Sequence, residues 1–279
     1  MTGILIGYGS IGKRHYSNLK ELGHECVVVD VEDIPKIDDI LKGKSFDFGI
    51  VSTPNDSHIN YSIKLANKRI PFFCEKPLYH PNQIKDTEEL NELIQICNES
   101  NLVNMVGCNM RFTDEVEHLP NKTPYVNVYF GYNLKKWRPT QNHLESYSSN
   151  KEMGGGIFFD AIHELDYLYY KFGKIKSIKT NKYKFTDITN DTEDISVSRI
   201  TFESGTIADV HLNYLSDRYT RYYEYIQDDT LHRVDFVIKN DMYIEEIKYF
   251  IDCVLNKNQT FNIVENATYL INKMKESYE

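Results

Sequence analysis

Three stretches of the chain carry side chains of types and spacing that can do chemistry. The first is Cys74-Glu75-Lys76-Pro77, directly after the apolar run Pro71-Phe72-Phe73. A lysine desolvated at the end of a core strand has its pKa drawn down from about 10.4 toward the working pH, where it can exchange protons. The same position also suits a lysine in solvent, or one that anchors a phosphate or ribose. The second stretch runs from Glu152 through Gly154-Gly155-Gly156 to Asp160, His163, Glu164 and Asp166. Three glycines permit close approach of backbone to a ligand. A helix expected from Gly156 to Phe172 would put Asp160, His163, Glu164 and Tyr167 on one face, beside an apolar stripe of Ala161, Leu165 and Leu168. A histidine with a carboxylate one turn earlier makes an acid–base pair, the carboxylate fixing tautomer and orientation. The alternatives are a carboxylate serving the helix dipole and a satisfied core histidine. Asp, His and Glu also suit zinc, but no partner at metal spacing stands elsewhere, so no metal is expected.

The third stretch is Gly7-Tyr8-Gly9-Ser10-Ile11-Gly12, between the apolar run ending at Ile6 and a helical pattern from Ile11 to Leu22. Strand, G-x-G-x-x-G and helix in that order are the context the dinucleotide fingerprint requires. Gly7 allows the tight turn, Gly9 lets backbone approach a pyrophosphate, and Gly12 lets the helix pack near the strand. The helix N-terminus then faces the anion. The next strand, Cys26 to Val29, ends in Asp30, 18 residues beyond Gly12 and near the spacing of a ribose-binding acid. A carboxylate there favours the 2′-hydroxyl of NAD and repels a 2′-phosphate. No arginine follows in Val31-Glu32-Asp33, so NAD is expected over NADP. A glycine-rich turn of some other α/β protein is the competing reading.

The elements that must position these residues alternate in the βαβ manner over the first part of the chain. Strands are expected at Phe48 to Val51, Pro71 to Cys74 and Leu102 to Gly107, with helices over Pro35 to Leu41, from Ser57-His58 through Ala66, and over Ile84 to Glu99. Short buried strands between helices imply a parallel, doubly wound sheet, whose ligands bind outside the C-terminal strand ends. Those ends carry the glycine loop, Asp30, Ser52-Thr53-Pro54-Asn55 with His58, Glu75-Lys76, and Asn109 with Arg111. The expected domains are residues 1–112, a Rossmann dinucleotide-binding domain, and 113–279, an α+β substrate domain. The second has a long strand from Tyr125 to Leu134, the Gly156–Phe172 helix, and strand-like runs near 175–184, 194–203, 206–215, 220–227 and 230–238. Thr206 to Leu215 alternates most cleanly and reads as a half-buried antiparallel strand. An open, mostly antiparallel sheet follows, and its second face needs a cover, most simply another subunit in a homodimer or homotetramer. Helices over Tyr243 to Leu255 and Glu265 to Ser277 end the chain.

A length of 279 residues with a net charge of −9 and no Lys/Arg cluster argues against nucleic acid or an anionic membrane surface as partner. No basic segment precedes an apolar core at the N-terminus, and no apolar run has membrane-spanning length. The five cysteines are scattered without a C-x-x-C, which suits reduced residues of a cytoplasmic protein.

Taken with Asn109-Met110-Arg111-Phe112, these motifs resemble the glucose–fructose oxidoreductase/inositol dehydrogenase (Gfo/Idh/MocA) family over nearly the whole chain. The resemblance implies an NAD(P)-dependent dehydrogenase acting on a secondary alcohol of a sugar or cyclitol. Lys76, Asp160 and His163 would then carry proton transfer and substrate orientation. The common family spacing is Asp-x-x-x-His, whereas Asp160 and His163 stand at Asp-x-x-His. Tyr147 to Gly156 together with Ile162 to Asp166 is similar to a branch with this shorter spacing, linked to surface-polysaccharide and nonulosonic-acid sugars. Trp137-Arg138-Pro139 also resembles that branch. Trp137 could stack on a sugar and Arg138 meet a phosphate or carboxylate, or both could plug a domain junction. The expected substrate contacts are thus Lys76, Arg111, Trp137, Arg138, Tyr147, Asp160 and His163. A protein that senses nucleotide or sugar without turnover, and a reductase of a non-sugar substrate, are the competing functions.

Overall fold

A computed structural model describes residues 1–82, 87–139, 142–237 and 239–278 of the chain. The chain forms two units, one of Met1–His80, Ile84–Phe112 and Asn240–Tyr269, the other of Pro81–Gln83, Thr113–Lys239 and Leu270–Glu279.

In the first unit, strands β1 (Thr2–Ile6), β2 (Glu25–Val29), β3 (Phe48–Val51), β4 (Phe72–Cys74) and β5 (Asn104–Val106) form one sheet in the order β2-β1-β3-β4-β5. Every pairing is parallel. Such strands are covered on both faces, which is why they are apolar throughout rather than alternating. One face receives the helices Ser10–Glu21 and Asp241–Asn256. Leu19, Ile247, Phe250 and Ile251 join Leu5, Phe48, Ile50 and Phe73 in a single buried cluster. Each such side chain contributes about 1.5–3 kcal/mol of burial free energy. On the other face Leu65 of the helix His58–Asn67 lies over Gly49, and that helix packs on Glu88–Glu99. The expected start of the latter helix at 84–86 lies outside the described residues. From β1 the chain moves to β2 on one side, then crosses back to β3 on the other. This reversal sets the C-terminal ends of β1 and β3 next to each other, with Ile6 opposite Val51. The crevice at such a switch point is where doubly wound sheets bind ligands.

The second unit holds β6 (Tyr125–Gly131), β7 (Ile175–Tyr183), β8 (Ile195–Phe202), β9 (Ile207–Asn213), β10 (Thr220–Gln227) and β11 (Thr230–Asp235), ordered β11-β10-β6-β9-β8-β7. The alternation expected in β9 is present: Ala208, Val210 and Leu212 are buried. Its pairing is mixed, however. The strand is antiparallel to β8 and parallel to β6, because the chain reaches it through helices and two further strands rather than a hairpin. The long strand expected from Tyr125 stops at Gly131, where Asn133 caps a short helix, Leu134–Trp137, through its side-chain oxygen on the Lys135 amide at 3.1 Å. The run expected to 238 ends at Asp235, and 238 itself lies outside the described residues. Leu165, Leu168 and Phe172 are buried, with Phe172 against Phe202 at 5.4 Å between ring centroids.

The helix expected over Gly156–Phe172 is two helices, Ile157–Asp160 and His163–Phe172. Ala161 leaves helical geometry at φ −98°, ψ 39°. Asp160 and His163 therefore do not share one helical face. Among the described residues no helix is long and apolar enough to cross a membrane, and no group of three His, Cys, Asp or Glu is placed to hold a metal. The five cysteines are free.

Candidate nucleotide and substrate site

The glycine loop leaves β1 as a tight turn, Gly7 adopting φ +93° where a side chain would strike the Ser52 carbonyl at 2.7 Å. A side chain at Gly12 would lie 2.2 Å from the Gly7 carbonyl, so the helix sits directly against the turn. Gly9 differs: nothing lies within 4 Å of where its Cβ would be. It caps the helix Ser10–Glu21 without any side-chain hydrogen bond, and the first turn holds no acidic residue. The helix thus starts uncapped beside open space at Gly9, as an anion site needs. Asp30 lies beside this loop and accepts the Tyr8 amide at 3.2 Å. A pyrophosphate over Gly9 and a ribose hydroxyl near Asp30 fit what these residues leave open.

The strand ends next to the loop are braced by their own side chains. Ser52 donates through its hydroxyl to the Gly7 carbonyl at 2.7 Å, and Ser57 donates to Thr53 Oγ1 at 2.9 Å. His58 is buried, with Nδ1 2.8 Å from the Pro77 carbonyl and Nε2 2.8 Å from that of Thr53. Burial draws its pKa down, while the two carbonyls and Glu75 pull the other way. Expected as cofactor contacts, the side chains of Ser52 and His58 are instead committed to the protein's own backbone. They hold the Thr53-Pro54-Asn55 turn and the peptide after Pro77 in place. Glu75 accepts from His15 Nε2 at 2.6 Å and, through its other oxygen, from the Lys76 amide at 3.1 Å. Lys76 itself is half-buried. Arg111, expected on substrate, is buried on the short helix Asn109–Phe112 and donates to Asn262 Oδ1 at 3.1 Å. It ties the end of β5 to the 261–262 segment.

In the second unit Asp160 is buried inside a ring of donors. The hydroxyls of Ser148 at 2.7 Å and Tyr214 at 2.9 Å donate to Oδ2, Tyr147 donates to Oδ1, and Arg138 Nη2 stands 3.5 Å from Oδ2. Burial and the Asp160 charge push the Tyr147 and Tyr214 hydroxyls well up, so both remain donors. These four partners explain the helix break, since satisfying a buried carboxylate outweighs one more helical turn. Asp160 thus holds the Arg138 guanidinium, which stacks on Trp137 at 5.3 Å and on Tyr147 at 5.1 Å. His163 is half-buried at the first turn of its helix, and Glu164, expected beside it on a polar face, is buried against Arg221 at 2.7 Å. The glycine triplet is closed to ligands at two points. A side chain at Gly155 would meet the Tyr147 carbonyl at 2.1 Å, and one at Gly156 (φ +113°) the Glu193 carboxylate at 2.4 Å. Glu193 also accepts the Phe158 amide at 3.1 Å, so the protein's own carboxylate occupies this helix start.

The structure brings together the glycine loop, Asp30, Thr53–Asn55 and Glu75–Lys76 in one unit, and Trp137, Arg138, Tyr147 and Asp160 in the other. It adds His15, Ser148, Glu193 and Tyr214, which sequence reasoning missed. His15 stands three residues past Gly12 on the sheet side of its helix, and Tyr214 continues the apolar alternation of β9; only these two left a signal in the sequence.

Residues 20–108 match the model of an oxidoreductase family with an NAD-binding Rossmann fold, GFO/IDH/MocA, and residues 126–229 match the GFO/IDH/MocA C-terminal domain. The chain belongs to this family, and its first unit is an NAD-binding Rossmann fold. It is 29% identical over 140 residues to an "uncharacterized oxidoreductase" of Streptococcus pneumoniae, covering 49% of this chain and 37% of that protein. It is 28% identical over 152 residues to the 2,7-anhydro-N-acetylneuraminate hydratase of Escherichia coli, covering 53% and 39%. The matched stretch thus spans under two fifths of these relatives. Among solved structures, myo-inositol 2-dehydrogenase from Lactobacillus plantarum superposes with TM-score 0.81 at 17% identity, over 99% of this chain and 96% of that one. Scyllo-inositol dehydrogenase from Lactobacillus casei, with NAD(H) and scyllo-inositol, gives 0.78 at 17% identity over 100% and 96%. These likenesses establish the fold.

Proposed function

We propose that the chain is an NAD-dependent oxidoreductase that moves a hydride to or from the carbon of a secondary alcohol in a sugar, sugar phosphate or nucleotide sugar. The observation that carries this reading is the pairing, within one unit, of an open, uncapped helix start at Gly9 with a lysine held at its own amide by Glu75 and one residue on, at the Pro77 carbonyl, by His58. Bound NAD supplies the two-electron acceptor. The chain's residues do the rest. The Ser10–Gly12 amides hold the pyrophosphate, and Asp30 accepts from a ribose hydroxyl. The Lys76 amine takes the hydroxyl proton as the carbinol carbon is oxidised and returns it in the reverse direction. Asp160, expected to orient His163, also holds Arg138, and Arg138 with Trp137 suits a ring carrying an anionic group. An acidic sugar of the nonulosonic kind, used in surface polysaccharide, fits that pair. The name of the Escherichia coli relative, a hydratase of an anhydro-sialic acid, supports a substrate of this kind.

The test is NADH formation or consumption across a panel of neutral, phosphorylated and carboxylated sugars. Lys76→Met should lower turnover on the responding sugar by about 10²-fold or more while NADH still binds. NADH should bind at least about tenfold tighter than NADPH, because Asp30 repels the extra phosphate. Undiminished turnover by Lys76→Met would remove Lys76 from the mechanism.

A further inference from the structure

We propose that His15 is a positioning residue for Lys76, acting through Glu75. It rests on the reading of Lys76 as a proton-handling group. Because Gly12 is packed against Gly7, the start of the helix Ser10–Glu21 is fixed relative to the glycine turn. His15 comes three residues after Gly12, just under one turn, and points into the sheet, with no solvent exposure and its ring edge-on to Phe73 at 5.2 Å. From there Nε2 reaches Glu75 Oε1 at 2.6 Å, and Glu75 Oε2 takes the Lys76 amide at 3.1 Å. A continuous set of short contacts therefore runs from the loop that would hold the pyrophosphate to the peptide of Lys76.

Packing does not account for a histidine at this place. Its Nδ1 is buried without a partner, which is unfavourable. A leucine would fill the same apolar contact with Phe73 and avoid that cost. What only the imidazole supplies is the Nε2 bond to a carboxylate that is otherwise nearly out of water. Gly107 leaves the room this requires: a side chain there would come within 3.4 Å of Glu75 Oε2 and 3.3 Å of the Lys76 amide nitrogen. Among the described residues the charged and titratable groups facing Glu75 include His15, Lys76, His58, the Cys74 thiol and, from the helix Asp241–Asn256, Tyr243. Of these, His15 makes the side-chain hydrogen bond to the carboxylate. His58 fixes the far side of Lys76 through the Pro77 carbonyl. The backbone on either side of Lys76 is thereby held by a buried histidine.

The experiment uses the full chain and its own lysine as reporter. Amine labelling by trinitrobenzenesulfonate is followed peptide by peptide by mass spectrometry, with exposed Lys44 as internal reference, and NADH binding is followed by fluorescence. His15→Leu removes the donor and should speed labelling of Lys76 about fivefold, the size expected when one buried hydrogen bond no longer opposes local opening. His15→Gln keeps an N–H donor and should return the rate to near that of the natural chain. A packing role would reverse that order, Leu behaving as well as Gln or better. Because His15 acts through Glu75, the double variant His15→Leu/Glu75→Gln should label no faster than Glu75→Gln alone. Unchanged labelling of Lys76 in folded His15→Leu, or multiplying effects in the double variant, overturns the proposal. Should His15→Leu not fold, Glu75→Gln decides alone, and unchanged labelling there overturns it. Persistent turnover by Lys76→Met would instead defeat the reading of Lys76 and leave the labelling result standing.

Discussion

Glu75 keeps a charge that burial by itself would remove. Desolvation pushes its carboxyl up, but the hydrogen bond and charge of His15, helped by Lys76 and His58, outweigh this and hold it below the ordinary carboxylate range. A carboxyl lowered by folding adds stability above its unfolded pKa of about 4.3 and loses it as pH falls through the folded value. In His15→Leu the carboxyl stays buried without its main partner, and its folded pKa rises above the unfolded one. The sign then reverses: stability is present below about pH 4.3 and declines as pH rises through the folded value. Thermal unfolding at about pH 5 and about pH 7.5 should show His15→Leu losing relative stability at the higher pH. Equal pH slopes for variant and natural chain would contradict the assignment. The motif around Lys76 was legible because its residues are consecutive. The residue that holds it was not, since His15 and Glu75 are 60 positions apart. The donors to Asp160 were hidden for the same reason: one of them, Tyr214, lies 54 residues away.

Two glycine-rich segments that look alike in sequence become opposite elements in the fold. At Gly7–Gly12 the turn is closed at Gly7 and Gly12 but open above Gly9, and the helix start has no cap of its own. At Gly154–Gly156 the turn is filled by the Tyr147–Ser148 backbone and by Glu193. Local pattern announces a glycine turn before a helix in both cases. Part of what fills it, Glu193, arrives from 35 residues beyond Phe158, beyond the reach of periodicity. The same limit made one helix of two, since the Gly156–Phe172 pattern is helical throughout and the break is imposed by the distant donors to Asp160. The two turns should answer to alanine differently. Gly9→Ala meets no atoms, so it should leave the melting temperature nearly unchanged and weaken NADH at least about tenfold, by crowding the anion. Gly156→Ala places a side chain against Glu193 at positive φ and should cost about 1–3 kcal/mol, with melting falling several degrees. Calorimetry and an NADH titration on both variants check the pair. A large stability loss in Gly9→Ala would mean that its open space is not a ligand space.

At the scale of the whole molecule, the two fold classes were readable from the change in periodicity near residue 113, whereas the order of the second sheet was not. The parallel β6–β9 pairing depends on where the chain returns, which hydrophobic alternation does not encode. Alternation did say that one face of this sheet is left without a layer of its own. That face carries a row of stacked rings, His211 on Tyr129 at 5.0 Å and Tyr129 on Tyr222 at 5.3 Å, with Arg233 over Tyr222 at 3.6 Å. Val197, Ile207 and Leu231 stand exposed on the same side, and Asn127, Lys179, Asn181 and His211 line a hollow of about 420 Å³. We propose that a second copy of the chain covers it. Stacked aromatics with scattered aliphatics match the core of an interface, the Arg199–Asp209 pair at 2.7 Å that lines the same hollow already neutralises its own charges, and such a contact takes about 800 Å² from each partner. Sedimentation should give a dimer or tetramer for the natural chain. The double variant Val197→Asp/Ile207→Asp, which puts two carboxylates on the face without touching the buried side of the sheet, should sediment as a monomer with an unchanged circular dichroism spectrum. A natural chain that sediments as a monomer, or an assembly indifferent to the two aspartates, would place the contact elsewhere.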